Sequence, residues 1–135
     1  MGRKAIKNKS YLTDLELKVM SVIWRLRSAT VQDIAEQMKK ESFAYTTLST
    51  VCRLLENQKI LESVKNGRSH IYVPVLQKED YESKALEQVV KNVFESEPSA
   101  LVRRLIQNES LSLADLAELR ELIEVTESLG NNKLI

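Results

Sequence analysis

The residues best suited to a chemical role lie in one helical pattern near the middle of the chain, at about residues 45–58. The apolar side of this pattern consists of Leu48, Val51, Cys52 and Leu55. The opposite side offers hydroxyl, guanidinium and amide groups and no carboxylate, at Thr46, Thr47, Ser49, Thr50, Arg53 and Asn57. An arginine among short hydroxyl side chains can bond guanine or phosphate while the backbone comes close to DNA. The pattern therefore predicts a DNA-contacting helix, although a solvated surface is the commoner explanation for any single exposed threonine.

A second group of cations belongs to a predicted β-hairpin. Residues 61–65 and 68–75 are β-permissive runs, and Asn66 and Gly67 between them suit a type I′ turn, in which both central residues have positive φ. Lys65 and Arg68 flank this turn, with His70 beside them. A basic tip of this kind can grip the DNA backbone and add salt-dependent affinity.

The charge distribution supports a nucleic-acid partner for one half of the chain. Residues 1–75 contain 13 Lys and Arg against 7 Asp and Glu, a net charge of +6, whereas residues 76–135 contain 7 against 12, a net charge of −5. The first ten residues carry four cations and little to bury, so residues 1–10 are predicted to form a flexible basic arm. A basic half attracts polyanions such as DNA, whereas an acidic half repels them, so we expect the second half to serve assembly and not DNA binding.

Two earlier helices complete the first domain. Thr13 and Glu16 have capping-box spacing before an apolar stripe, which predicts a helix over residues 14–26, and Thr30 with Asp33 caps a short second helix. Three helices followed by a hairpin, with a break before the second helix that could add one strand, are the layout of a winged helix-turn-helix. We expect this domain at residues 11–75.

The remaining residues predict three amphipathic helices, over residues 81–95, from Pro98, and from a cap at Ser112 to a stop at Gly130. Such stripes must pack back on the first domain or against a second chain, and we favour the second chain. The fold class is therefore mainly α, a winged helix-turn-helix head with a small β-hairpin wing plus a helical dimerisation region at residues 76–130, followed by a tail at 131–135. The candidate dimerisation residues are Leu86, Val90, Phe94, Leu101, Leu105, Leu116, Leu119 and Ile123.

Several function classes are disfavoured by the composition. With 135 residues, 43% of them hydrophobic, and a mean hydropathy of −0.27, the chain has no apolar run long enough to span a bilayer, and we expect a cytoplasmic protein without membrane insertion. A single cysteine, Cys52, and a single histidine, His70, exclude an internal disulfide and a four-ligand His/Cys zinc site. No glycine-rich phosphate loop, nucleophile elbow or metal motif is present, so we expect no enzyme, no cofactor and no metal. Cys52 lies on the apolar stripe and is predicted to be buried and inert.

Three stretches of the first domain resemble the penicillinase repressor family of BlaI, MecI and CopY types. Residues 12–24 resemble its opening motif L-T-x-x-E-x-x-V-M-x-x-I/L-W, residues 44–56 its recognition helix and residues 67–74 its wing. Residues 99–102, 108–112 and 119–123 are similar to its carboxy-terminal dimerisation region. The resemblance implies a homodimeric transcriptional repressor that binds a palindromic operator and controls β-lactamase or related resistance or stress genes.

The same resemblance implies how repression ends. In the family a membrane sensor protease leads to cleavage in the dimerisation region, and the family's scissile Asn-Phe bond aligns with Arg104 and Leu105. A signal acting on the tail, or a small molecule bound near Trp24, is the other route to induction. A winged-helix module that docks on protein instead of DNA remains the alternative function, and it predicts binding insensitive to salt.

Overall fold

The computed structural model describes residues 11–130, in which α-helices dominate and two strands form one hairpin. The predicted basic arm, residues 1–10, and the predicted tail, residues 131–135, lie outside the described residues. The elements in chain order are α1 (Asp14–Leu26), α2 (Val31–Gln37), a 3₁₀ turn (Lys39–Glu41), α3 (Tyr45–Asn57), β1 (Leu61–Asn66), β2 (Ser69–Pro74), α4 (Lys78–Val93), α5 (Pro98–Gln107) and α6 (Leu113–Ser128).

Helix α1 begins and ends where its sequence predicts. The Thr13 backbone N–H donates to Glu16 Oε1 at 2.9 Å, and the Glu16 backbone N–H donates to Thr13 Oγ1 at 3.2 Å, which completes a capping box. The helix ends at Leu26 and is followed by the C-cap residue Arg27, whose φ of 74° lies in the left-handed region. Helix α2 starts in the same way, because Thr30 and Asp33 exchange two hydrogen bonds of 3.0 Å.

The connection between α2 and α3 is short and contains a left-handed residue. It includes the 3₁₀ turn and Ser42, whose φ of 56° is left-handed, and the backbone N–H of Ser42 donates to the Lys39 carbonyl. Helix α3 then starts at Tyr45 and ends at Asn57, one residue short of the predicted end. Helices α2 and α3 pack against each other and against α1, which gives the helix-turn-helix.

The hairpin differs from the prediction by its turn. Asn66 pairs with Ser69, so the two turn residues are Gly67 and Arg68, and the predicted turn at Asn66 and Gly67 is wrong by one position. Positive φ occurs only at the first turn residue, Gly67 at 66°, which is the pattern of a type II′ turn rather than type I′. Lys65 consequently lies one step back along β1 and pairs with His70.

A single β-bridge is present where the sequence allowed for a third strand. Ala29, between α1 and α2, forms an isolated antiparallel bridge with Tyr72 through hydrogen bonds of 3.0 and 2.8 Å. This bridge holds β2 on the head, and it turns the Tyr72 side of the strand inward, where Tyr72 is 5% exposed. Ile71 and Val73 point to the other side of the hairpin and are only half-buried.

The hydrophobic core of the described chain belongs to the head. Its buried members are Leu12, Val19, Met20, Val22, Ile23, Ala29, Val31, Ile34, Met38, Leu48, Cys52, Leu55, Ile60, Leu61 and Tyr72. Trp24 and Tyr81 pack at its margin with ring centroids 5.9 Å apart. The indole N–H of Trp24 donates to the Leu76 carbonyl at 2.9 Å, and the Tyr81 hydroxyl accepts a hydrogen bond from the Leu12 N–H at 3.0 Å. These contacts hold the first turns of α4 on the head.

The described residues divide into two compact units, residues 11–88 and residues 89–130. The first therefore extends beyond the predicted head, because Leu76 and Tyr81 pack on its core. Helix α4 starts at Lys78, three residues before the predicted start, and ends before Glu95 and Ser96, both of which have positive φ. The second unit contains α5, which starts at Pro98 as predicted, and α6, capped by Ser112 and Asp115 as predicted.

Candidate nucleic-acid interface

Helix α3 is held by its apolar side. Leu48, Cys52 and Leu55 are each 0% exposed, and Val51 is half-buried beside them. Burying side chains of this size stabilises the helix position by about 1.5–3 kcal/mol each. Since these residues recur every three or four positions, they fix the rotation of α3 about its axis and hence the side that faces outward.

The outward side of α3 contains the predicted polar residues. Thr46, Thr47, Thr50, Arg53 and Asn57 are exposed, and Ser49 is half-buried. The structure thus brings together on one helix face all six candidates from this segment.

Glu56, the carboxylate nearest in sequence to the outward side of α3, is bonded to the wing. Glu56 is half-buried, and its Oε2 accepts a hydrogen bond from the Ser63 hydroxyl of β1 at 2.7 Å. The outward residues of α3 accordingly present hydroxyl, amide and guanidinium groups without an opposing negative charge, which suits a surface that approaches phosphates.

Two exposed residues of α3 were not among the sequence candidates. Tyr45 is 58% exposed and Leu54 is 49% exposed, at opposite ends of the helix. Both are large and partly or wholly apolar, and neither was assigned to the apolar or to the polar side from sequence. A helical wheel could have found Leu54, which lies off the stripe of Leu48, Cys52 and Leu55. It could not have found Tyr45, which falls on that stripe and is exposed at the first turn of the helix.

The start of α3 also differs from the starts of α1, α2 and α6. Its N-cap is Ala44, which has no side chain able to accept from the first backbone N–H groups, whereas the other three helices have capping boxes. Uncapped N–H groups at a helix start, with the partial positive charge of the helix dipole, suit a phosphate oxygen.

The wing places the second group of cations at its tip. All residues from Lys65 to His70 are exposed, and this stretch contains Lys65 and Arg68 and no acidic residue. The wing is tied to α3 by the hydrogen bond between Ser63 and Glu56. Burial, with smaller effects from the neighbouring Cys52 and Glu56, raises the pKa of the Tyr72 hydroxyl in β2, so this side chain adds no charge at neutral pH.

The candidate dimerisation residues are poorly covered by this single chain. Beyond Tyr72, no residue of the described part is fully buried. Leu86, in the first unit, is 51% exposed, and Val90, Phe94 and Leu101, in the second, are half-buried. The others are exposed to 36–57%, namely Leu105, Leu116, Leu119 and Ile123. Arg104 and Leu105 are exposed within α5, where Arg104 donates to Gln107 Oε1 at 3.1 Å.

Residues 11–130 contain neither a membrane-spanning helix nor a candidate metal site. None of the described helices is long and apolar enough to cross a membrane. Among the same residues, no three His, Cys, Asp or Glu side chains are grouped so that they could hold a metal ion. Cys52 is buried as predicted, and burial, with a smaller contribution from the Glu56 carboxylate, raises the pKa of its thiol to about 12.

Known proteins similar to this chain are transcriptional regulators. A penicillinase repressor from Bacillus licheniformis is 25% identical over 120 residues, covering 88% of this chain and 94% of its own. The methicillin resistance regulatory protein MecI of Staphylococcus aureus strain N315 is 23% identical over 118 residues, covering 86% and 96%. The solution structure of the DNA-binding domain of the repressor BlaI aligns with 53% of this chain and 89% of that domain, at 30% identity and a TM-score of 0.48.

The family match spans nearly the whole described chain. The model of the family described as penicillinase repressor matches residues 12–125, which include the winged helix-turn-helix and most of the second unit. This is a family of DNA-binding transcriptional repressors and not a class of enzymes. With its helix-turn-helix, its wing and a match of this extent, the chain belongs to the penicillinase repressor family.

Proposed function

We propose that the protein is a homodimeric repressor in which α3 enters the major groove of a palindromic operator. The observation that carries the proposal is the division of α3 between its two sides. Leu48, Cys52 and Leu55 are fully buried, whereas the exposed side offers Arg53 and short polar groups without a carboxylate. A helix so oriented can place Arg53 against a guanine edge, with its threonines on phosphate oxygens or thymine methyl groups.

The wing supplies contacts to the DNA backbone in this proposal. Lys65 and Arg68 lie at an exposed tip without a carboxylate between residues 65 and 70. Cations in this position neutralise phosphates and release counterions, so they add affinity that depends on salt and little on sequence. Together with Thr46, Thr47, Ser49, Thr50, Arg53 and Asn57, they form the proposed DNA-binding surface.

A second copy of the chain is the proposed partner of the apolar residues in the tail. Leu105, Leu116 and Leu119 remain 36–38% exposed in the isolated chain. Packing such residues against the same helices of another copy removes them from water and links two heads. Linking two heads raises operator affinity through effective concentration by about 10²–10⁴.

The names of the relatives support a proposal for the regulated genes, and the resemblance to the family supports one for the release mechanism. Because similar proteins are named as penicillinase and methicillin resistance regulators, the proposed targets are β-lactamase or related resistance or stress genes. Release would come from proteolysis by a membrane sensor protease or from a signal acting on the tail. The bond between Arg104 and Leu105 lies inside α5, so a protease could cut it only after that helix opens locally.

The test is fluorescence anisotropy with the DNA upstream of the protein's own gene and a scrambled duplex, each at two salt concentrations. Tight binding to the upstream duplex that weakens steeply with salt is expected. Replacing Arg53 with Ala should weaken operator binding by about 1–3 kcal/mol and leave binding to the scrambled duplex nearly unchanged. Lys84→Ala removes one positive charge from an exposed position of α4 and is the control. Salt-insensitive, equal binding to both duplexes would refute the proposal and favour a protein-docking module.

Truncation after Arg104 tests the tail separately. The shortened protein lacks the last part of α5 and all of α6, so it should be monomeric in analytical ultracentrifugation. It should also lose about 10²–10⁴ in operator affinity, which is the gain that linkage provides. A truncated protein that still dimerises and binds like the full chain would refute the role given to these helices.

A further inference from the structure

The head contains a groove away from the exposed face of α3. It lies between the second half of α1, the end of β2 and the first turn of α4, and its volume is about 770 Å³. Every residue that lines it belongs to the first unit. Small-molecule sites have volumes of about 300–1,000 Å³, so the groove has the capacity for an organic ligand.

The charged residues of the groove are mostly cations. Arg25, Arg27 and Lys78 line it, and Glu79 is its one acidic lining residue. None of the three cations makes a salt bridge within residues 11–130; Arg25 donates to the neutral Gln37 Oε1 at 3.2 Å. The cations therefore exceed the carboxylates in the groove, and their charges are not used to hold the fold.

The backbone at Arg27 adds an independent observation. Its φ of 74° is left-handed, a conformation that costs a residue with a Cβ about 1–2 kcal/mol and that glycine adopts freely. The position ends α1, where glycine is the usual residue. Five other described non-glycine residues have positive φ as well, so this conformation does not by itself mark a site, but it makes glycine a substitution that position 27 accepts without strain.

The apolar part of the groove is built around Trp24, whose ring is held by two contacts. Trp24 lies in its wall with Val22, Val73 and Pro74. The Trp24 N–H is already bonded to the Leu76 carbonyl, and Tyr81 packs against its ring, so the indole is held in one orientation and offers apolar surface without a free donor. A flat apolar group can pack on this surface while an anionic group reaches the guanidinium groups.

We propose that this groove binds a small aromatic carboxylate, with Arg27 and Lys78 holding the carboxylate and Trp24 and Pro74 contacting the ring. The class of ligand follows from excess positive charge beside a fixed apolar wall. Arg27 presents two parallel N–H groups to one carboxylate, a geometry that an ammonium group lacks. The proposal concerns ligand binding by the protein alone and does not depend on DNA recognition.

Trp24 makes the site directly observable, because it is the only tryptophan of the chain. In a ¹H–¹⁵N spectrum of the full-length protein its indole N–H gives one signal. Benzoate titrated at constant ionic strength should shift this signal in a saturable manner at millimolar concentrations. Benzamide, which is neutral and has nearly the same shape, should bind about tenfold more weakly, and benzylammonium should not shift the signal.

Arg27→Gly is the decisive variant because it removes the guanidinium and relieves the backbone strain, so the fold should be retained. Benzoate affinity should fall about tenfold. Lys59→Gly is a matched control, since Lys59 is also an exposed cation with positive φ, 67°, and lies outside the groove. The proposal is overturned if benzoate leaves the Trp24 signal unshifted, if benzamide binds equally well, or if Arg27→Gly binds benzoate as tightly as Lys59→Gly.

Discussion

The buried thiol of Cys52 should make the stability of the head depend on alkaline pH. Cys52 is 0% exposed on the buried side of α3, and burial raises its pKa from 9.0 to about 12. A thiol whose pKa is raised on folding stabilises the native state fully below pH 9 and loses that contribution as the pH rises towards 12. At pH 10 the thiol is mostly ionised in the unfolded chain and mostly protonated in the folded one. The free energy of unfolding should therefore fall by about 1.4 kcal/mol between pH 7 and pH 10 through this group alone.

The assay is urea denaturation of the wild type and of Cys52→Ala at both pH values and one ionic strength. The other groups that titrate are common to both proteins and cancel when the two pH effects are subtracted. The pH-dependent loss should be about 1.4 kcal/mol smaller for Cys52→Ala. Val51→Ala, which removes apolar volume from the same helix without a titrating group, should keep the full loss. Equal losses in the wild type and Cys52→Ala would refute the assignment of a raised thiol pKa.

Three further changes test single contacts by urea or thermal denaturation. Thr13→Ala removes the side-chain acceptor of the α1 capping box and should lower the free energy of unfolding by about 1 kcal/mol; an unchanged midpoint would mean that the cap is not formed in solution. The Cβ added by Gly67→Ala would meet no atom within 4 Å, so the free energy of unfolding should fall by about 1–2 kcal/mol from the positive φ alone; an unchanged free energy would contradict a positive φ at this turn position. Trp24→Phe loses the hydrogen bond to Leu76 and should cost about 1–3 kcal/mol, whereas Trp24→Phe as stable as wild type would show that water replaces that bond.

The elements predicted most accurately from sequence are those with local signals at their ends. The bounds of α1 follow from the Thr13 cap and the change of pattern after Leu26, and the caps at Thr30 and Ser112 are equally local. The polar candidates of α3 were found for a similar reason, because the spacing of Leu48, Cys52 and Leu55 defines a buried side and hence its opposite.

The hairpin register required information that no local signal contains. Asn-Gly favours a type I′ turn, but the turn forms one residue later, at Gly67 and Arg68. The bridge between Ala29 and Tyr72 joins residues 43 positions apart, and it selects which side of β2 faces the core. Tertiary pairing of this kind overrides the preference of a dipeptide.

For the tail, the helices could be predicted from sequence, but the partner that covers their apolar residues could not. Their apolar residues are evident in the sequence, yet Leu116 and Ile123 stay exposed in a single chain, so what covers them is not determined within one copy. A small molecule near Trp24 is an expectation from sequence, but the charge of the groove there could not be predicted, since its cations come from two separate segments, the end of α1 and the start of α4.

The division of α3 into a buried apolar side and an exposed polar side has an evolutionary consequence. The exposed side chains of Thr46, Thr50, Arg53 and Asn57 make no hydrogen bond to the rest of the described protein, whereas Leu48, Cys52 and Leu55 hold the helix in place. Substitutions at the outer positions are therefore close to neutral for folding. In the proposed role of α3, a lineage could explore new operator sequences there by single steps without passing through unfolded intermediates. A randomised library at these positions should then retain the parental melting temperature while its members diverge in the DNA that they select.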